Sequence, residues 1–297
     1  MEIYLPVGIE PPKSLIEAAE EFVKEVEKGN IPYFSPIPTG FPFLDQILSG
    51  GIFAGHLLLV GGKPNVGKTI FALQMARNIA RNGVEVVFVC YEHDLIHIFM
   101  RLLALETFLS GSPLSLEKVR EIFQNSQGKF LFEKMTQLYP ETREAIDSML
   151  CYADFLYITQ GDSLRTTPQV LLAYVKKKCS KRPAVLIVDY LQKVPLSPEE
   201  SFSPEKVAVK LKEIALNNRI AVVAVSALEA EAIHKKELSL ADLMGDSLVK
   251  YEPDAVLMLE PGENSTVQFR MVKNRTGPAN LSFSLRLYGE NFAFSPL

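Results

Sequence analysis

Residues 62–69 read GKPNVGKT: a glycine, four intervening residues, a second glycine, then a lysine and a threonine. Gly62 and Gly67 let the backbone fold into a cradle, and backbone N–H groups of residues such as Asn65, Val66 and Gly67 can then face an anion. A helix that starts at the end of this loop presents its positive end to the same anion. In such an arrangement Lys68 meets the β- and γ-phosphates of a nucleoside triphosphate, and the Thr69 hydroxyl takes one position on Mg²⁺. A Gly-rich turn that matches by chance is the competing reading, and the strand, loop and helix pattern around it argues against chance.

Two carboxylates and two cations have spacings that fit the same chemistry. AVLIVDY (184–190) places Asp189 at the C-terminal end of a buried strand, where it can hold Mg²⁺ directly or through water. An Asp that ends a strand more often caps a turn, so its separation from the phosphate loop favours the metal role. VFVCYEHD (87–94) puts Glu92 just past a strand, where a carboxylate could polarise an attacking water. Its alternative is a solvated capping residue, a role that Asp94 could also fill. His93 and His97 lie four apart but lack a third ligand, so they read as structural. In MVKNRTGPAN (271–280), Lys273 and Arg275 are two apart on a strand that runs into a Gly-Pro turn. Residues at that spacing share a face, and an exposed edge protected by charge is the plain alternative.

The elements that must position these residues form an α/β pattern. From residue 57 short apolar runs (LLLVG, VEVVFVC, DFLYIT, AVLIVDY, IAVVAVSA) alternate with helical segments at about 67–82, 96–106, 167–179 and 204–218. Such alternation predicts a mostly parallel central sheet with crossover helices. Residues 111–152 lack strand signals and read as a helical insert. AVLMLE, TVQFRMVKN, LSFSLRLYG and NFAFSP, with turn residues between them, predict an antiparallel C-terminal extension of the sheet. Ahead of all this, Ser14 and Glu17 form a capping box for an amphipathic helix with Leu15, Ala19, Phe22 and Val26 on one face, which stops at Gly29. Four prolines in NIPYFSPIPTGFP separate it from the main body. The division expected is an N-terminal helix and Pro-rich linker over 1–37 and an ATPase domain over 38–297.

Composition bounds the function classes. The chain has 297 residues, 47% hydrophobic and 22% charged, enough for a large core and far from a disordered composition. With 31 Lys and Arg against 35 Asp and Glu, the net charge of −4 gives no whole-chain attraction to nucleic acid or anionic membrane, so a nucleic-acid site has to be a local patch. Cys90, Cys151 and Cys179 are widely spaced and form no C-x-x-C pair, which points to a reducing compartment. No apolar run approaches the ~18 residues of a membrane span, and the N-terminus lacks a signal pattern. A cytoplasmic protein without a membrane partner is expected.

Taken in order, TGFPFLDQILSGGIFAGHLLLVGGKPNVGKT, YEHDLIHIFMRLLALE, LIVDYLQ, AVKLKEIALNNRIAVVAVSAL, DLMGDSLVKYEPDAVLMLE and MVKNRTGPA resemble the RecA-like C-terminal ATPase domain of DnaB-type replicative helicases. The likeness runs from about residue 38 to the C-terminus. It implies a RecA-like P-loop NTPase fold and an ATP- and Mg²⁺-dependent ring motor acting on single-stranded DNA in DNA replication. The implied assembly is a homo-oligomer, a hexamer in that family. Glu92 then falls in the catalytic-glutamate motif and Asp189 in the Walker-B motif. Lys273 and Arg275 would reach the γ-phosphate bound on the neighbouring subunit, Arg275 as a finger. Residues 14–28 occupy the place of the family's linker helix, and the larger primase-contacting N-terminal domain has no counterpart in these 297 residues.

Two positions depart from the family pattern. Where a Ser-Gln pair is usual this chain has Ser226 and Ala227, and where "D-L-R" is usual Met244 replaces the cation. The loop after Asp189 carries Glu199, Glu200 and Glu205, a poor phosphate track. A second loop offers His234, Lys235 and Lys236, of which Lys235 and Lys236 are the possible DNA contacts and equally a solvated turn. These departures define the second reading, a RecA-fold ATPase that works as a nucleotide-controlled regulatory or assembly switch without unwinding.

Overall fold

The computed structural model describes residues 11–30, 34–125, 133, 136–137, 139–179 and 183–297. Nine strands form one sheet: β1 (Leu57–Gly62), β2 (Val86–Cys90), β3 (Leu156–Gln160), β4 (Val185–Asp189), β5 (Ala221–Val225), β6 (Ala255–Pro261), β7 (Thr266–Asn274), β8 (Leu281–Tyr288) and β9 (Ala293–Pro296). Their order is β3-β2-β4-β5-β1-β6-β7-β8-β9. The first six in that order are mutually parallel, and β7, β8 and β9 extend the sheet antiparallel. The expected mixed α/β architecture, with its antiparallel extension, is therefore present.

Every residue of β1, β2, β4 and β5 is buried, because helices cover both faces of the sheet. Side chains alternate between two cores. Leu58, Val60, Phe88 and Ile187 face α3 (Lys68–Arg81) and α4 (Leu95–Leu109), while Leu57, Leu59, Val87 and Leu186 face α7 (Pro168–Lys178) and α8 (Pro204–Asn218). The helical insert contributes α5 (Leu116–Asn125) and α6 (Arg143–Cys151) on the α3–α4 side, and part of the stretch between them lies outside the described residues. A buried ion pair ties these pieces together. Arg77 on α3 reaches Glu106 on α4 through Nε (2.5 Å) and Nη2 (2.9 Å), and the Tyr152 hydroxyl donates to the same carboxylate at 2.7 Å.

Two short helices were not evident in the sequence pattern. α2 (Pro42–Ile47) forms despite the prolines around it because Pro42 takes the first helical turn, where no N–H partner is needed. The Asp45 carboxylate then accepts from Thr39 N and Oγ1, both at 2.7 Å. α9 (Ser247–Tyr251) is a single capped turn ahead of β6. The N-terminal helix α1 (Leu15–Glu27) has its capping box, with Ser14 N donating to Glu17 at 2.6 Å and Glu17 N donating to Ser14 Oγ at 3.2 Å. None of its residues is buried, and Leu15 stands 87% exposed. Its contacts with the body include an Arg219–Glu25 ion pair at 2.8 Å and an edge-on contact of Phe22 with Phe34. Its apolar stripe therefore does not fold back into the chain's own core.

Candidate nucleotide-binding cleft

β1 ends in a loop that cannot carry ordinary side chains at its two glycines. A Cβ on Gly62 would lie 2.7 Å from the Leu259 carbonyl oxygen of β6, and one on Gly67, held at φ 95°, would meet the Phe294 ring at 2.8 Å. Gly67 is the N-cap of α3, so the loop opens onto a helix N-terminus. Val66 is buried and anchors the loop, whereas Asn65 is exposed at φ 60°, a conformation asparagine tolerates. Lys68 Nζ donates to the carbonyls of Gly62 and Lys63, both at 2.8 Å, and so lies folded over the loop. Burial lowers its pKa, while Asp189 and Glu92 nearby favour the charge.

This loop borders a cleft of 520 Å³ that also meets Thr69, Glu92, Arg101, Asp189 and Phe292. β2 and β4 are adjacent and in register, with Cys90 opposite Asp189, which brings the Glu92 turn and the Asp189 carboxylate to the same end of the sheet. Asp189 is 1% exposed. Burial pushes its pKa up to about 6, against the Thr69 hydroxyl, the Lys68 charge and the Cys90 thiol, which favour the carboxylate. Cys90 Sγ donates to it at 3.8 Å, and burial raises the thiol's own pKa to about 12. A buried carboxylate beside a threonine hydroxyl is an oxygen donor set of the kind Mg²⁺ prefers. Asn65, Val66, Gly67, Lys68, Thr69, Glu92 and Asp189 are thus gathered at one end of the sheet. Asp94, two residues past Glu92, caps α4 by accepting from His97 N at 2.8 Å, and His97 Nδ1 lies 2.9 Å from the same carboxylate oxygen.

Lys273 and Arg275 are elsewhere. Lys273 pairs with Val256 near the start of β6, and that start is level with Leu58 at the start of β1, whereas the phosphate loop follows Gly62 at the other end. At about 3.3 Å per residue, the separation along the sheet from Gly62 is roughly 10 Å for Lys273 and more for Arg275. Arg275 lies one residue beyond β7, and the pair does share a side. Lys273 Nζ donates to Lys250 O (2.9 Å) and Tyr251 O (2.6 Å), and Arg275 Nη2 donates to Tyr251 O (2.7 Å). Arg275 Nη1 is also 3.4 Å from the Asp254 carboxylate, which receives Lys212 Nζ at 2.7 Å and Leu57 N at 2.8 Å. Burial, with Arg275 adding to it, draws the Lys273 pKa down to about 8.

At the departures from the expected pattern, Gln192 supplies the polar link. Its side chain accepts from Ala227 N (3.0 Å) and donates to Ser226 Oγ (3.0 Å) and to Met244 O (3.4 Å). Lys235 forms an ion pair with Asp242, and Lys236 is exposed. Glu200 is bridged to Lys210 at 2.8 Å, and Glu205 accepts from Asp246 N at 2.6 Å. Sequence reasoning passed over Gln192, Arg101, Phe292 and Asp254. The available signals were a glutamine three residues after Asp189 and a single arginine inside the otherwise apolar run IHIFMRLLALE.

A model of the DnaB-like helicase C terminal domain matches residues 36–294. The chain belongs to that family. Among curated DnaB-type relatives, the replicative DNA helicase DnaB of Treponema pallidum (strain Nichols) is 27% identical over 250 residues, which cover 82% of this chain and 52% of that protein. The replicative DNA helicase DnaC of Bacillus subtilis (strain 168) is 24% identical over 271 residues, covering 84% and 54%. The chain spans about half the length of these relatives. Among solved structures, the ATPase domain of G40P superposes with a TM-score of 0.77 at 21% identity over 97% of this chain and 100% of that one, which establishes the fold as that of a helicase ATPase domain. A DnaB-like replicative helicase, solved in a study of its interactions with primase, gives 0.74 at 21% identity over 97% of this chain and 68% of that one.

Proposed function

We propose that this chain is the ATP-hydrolysing motor of a DnaB-like ring and that it acts on single-stranded DNA as an assembled homo-oligomer. The observation that carries the reading is the separation of Lys273 and Arg275 from the chain's own phosphate loop, at the opposite end of the sheet. Cations so placed serve a nucleotide only when it is bound by a second copy. Residues 38–297 are then the motor domain and residues 1–37 an arm. The exposed apolar face of α1, with Leu15, Phe22 and Val23, finds its cover on the neighbouring subunit. A ring of six copies, the family arrangement, repeats each weak DNA contact and sums it.

In this reading Asn65, Val66 and Gly67 offer backbone N–H groups to the phosphates and Lys68 leaves the Gly62 and Lys63 carbonyls to meet the β- and γ-phosphates. Mg²⁺, held by Thr69 and Asp189, supplies neutralisation of the charge on those phosphates. Glu92 accepts a proton from the attacking water, whose oxygen bonds to the γ-phosphorus as the bond to the β–γ bridging oxygen breaks and ADP leaves. Arg275 of one subunit leaves Tyr251 and Asp254 to stabilise the charge on the phosphoryl group in transfer on the next, with Lys273 beside it. Lys236, and Lys235 once free of Asp242, are the candidate contacts to DNA phosphates.

Steady-state ATP hydrolysis at increasing protein concentration, with and without single-stranded DNA, tests the proposal. A specific rate that rises with concentration and rises again with DNA is the expected result. Concentration dependence without any response to DNA would leave a shared site and favour the nucleotide-controlled switch, the reading that Ala227 and Met244 keep open.

A further inference from the structure

We infer that Arg101 is a positioning residue for hydrolysis: it pairs with Glu92 and aims that carboxylate at the attacking water. The inference rests on the ATPase reading above. Arg101 is the one Lys or Arg of α4, set in its second turn among the buried Met100, Leu102 and Leu103, and it reaches the cleft that Glu92 also lines. Its guanidinium carbon lies 4.5 Å from the centroid of the Phe292 ring, a cation–π distance. Phe292 is held in the left-handed region at φ 57°, after a turn in which Asn291 Nδ2 donates to Leu114 O at 3.1 Å. One face of the guanidinium is thereby fixed by the C-terminal hairpin, and the plane of its N–H groups is set.

Two of its nitrogens are unsatisfied. Nε and Nη1 of Arg101 are shielded from water and have no hydrogen-bond partner among the described residues. Buried donors left in that state are rare, and each points to a partner that arrives in another state of the molecule. Burial lowers the pKa of Arg101, and the carboxylates near enough to favour its charge are Asp189 and Glu92, with Arg120 of α5 opposing. Of the two carboxylates, Asp189 already has Thr69, Lys68 and Cys90 beside it. The Glu92 side chain is exposed in the turn after β2 and accepts no hydrogen bond from a described residue, so among the described residues the cleft sets an arginine with unfilled donors beside an unpaired carboxylate. A rotamer change of Glu92 that brings its carboxylate side-on to Nε and the outer Nη2 satisfies the buried Nε in the geometry that arginine favours. Arg101 moves no proton in this role; it fixes the base that does.

The test is a double-mutant cycle on the full chain with Arg101→Met, which keeps the aliphatic stem against Phe292, with Arg101→Lys, with Glu92→Gln, and with Arg101→Met and Glu92→Gln combined. ATP turnover, the affinity for a fluorescent non-hydrolysable ATP analogue, and the melting temperature are measured for each. The expected result is an about 10²-fold loss of kcat in Arg101→Met, the lower range for displacing a general base. Analogue affinity stays within about threefold, Arg101→Lys recovers part of the rate, and Arg101→Met adds less than about threefold to the loss in Glu92→Gln. Multiplicative losses in the double variant, or analogue affinity that falls in step with kcat, would overturn the inference in favour of direct phosphate binding. An unchanged kcat in Arg101→Met, or a loss matched by a lowered melting temperature, overturns it in favour of no role or a structural one. Failure of the unmodified chain to hydrolyse ATP is a separate outcome, which removes the ATPase reading and the inference together.

Discussion

At one end of the parallel strands, Asp189 is buried beneath a loop of backbone N–H groups, and burial itself raises its pKa to about 6. At the other end Lys273 and Arg275 are only partly covered, and both donate to the same Tyr251 carbonyl. The first region is a glycine-built loop over a buried carboxylate, whose neighbours Thr69, Lys68 and Cys90 only partly offset the cost of its charge. The second is a pair of cations on provisional partners, neutral carbonyls and one shared carboxylate, from which they can be drawn by a stronger anion. The contrast teaches that this sheet holds its phosphate loop and its Lys273–Arg275 pair at opposite ends, so under the proposed function a complete hydrolytic site draws on two copies of the chain.

The sharpest way to break the contrast is Arg275→Ala. ATP turnover by the assembled protein should fall by about 10³-fold or more, with analogue binding retained, since the finger acts on transferring charge. An unchanged rate in an assembled variant would remove the trans role. Asp254→Ala attacks the partner set instead. It leaves Lys212 at 17% side-chain exposure without its carboxylate and frees Leu57 N and Arg275, so denaturant melts should show a loss of about 3–5 kcal/mol.

The buried carboxylate gives the opposite sign. Between pH ~4 and about 6 folded Asp189 keeps a proton that the unfolded chain has released, so its contribution makes stability fall as pH rises through that window and then level off. Asp189→Asn should remove that slope and stabilise the unliganded protein at pH 7 by roughly 3 kcal/mol, while Mg²⁺-dependent nucleotide binding is lost. Parallel urea melts at pH 4.5 and pH 7 read the difference. The smallest effect on the fold is expected from Phe22→Glu on α1, under about 1 kcal/mol for an exposed ring with one aromatic neighbour, yet self-association should weaken in sedimentation experiments.

Much of the cleft was legible in the chain because its parts are local. The phosphate loop needs a strand, two glycines and a helix in continuous sequence, and Asp189 and Glu92 each end a run of buried apolar residues. The pieces that were missed depend on distant partners. Arg101 looks like any arginine in a helix until Phe292, far along the chain, closes over it. Gln192 gains meaning only when β4 and β5 lie side by side and set it against Ala227 N and Met244 O. α2 was hidden for the reverse reason, since proline was weighed as a helix breaker when Pro42 occupies the one turn that accepts it.

By itself the sequence determined the alternation of buried strands and amphipathic helices, the phosphate loop and the acidic residues that follow it, because periodicity, glycine and proline act through neighbours in the chain. Tertiary structure alone decided that Lys273 and Arg275 sit at the far end of the sheet from the loop, that their resting partners are Tyr251 and Asp254, and that Nε and Nη1 of Arg101 find no partner among the described residues. The physical reason is that strand register and burial are properties of the packed sheet, and no local stretch of sequence carries them.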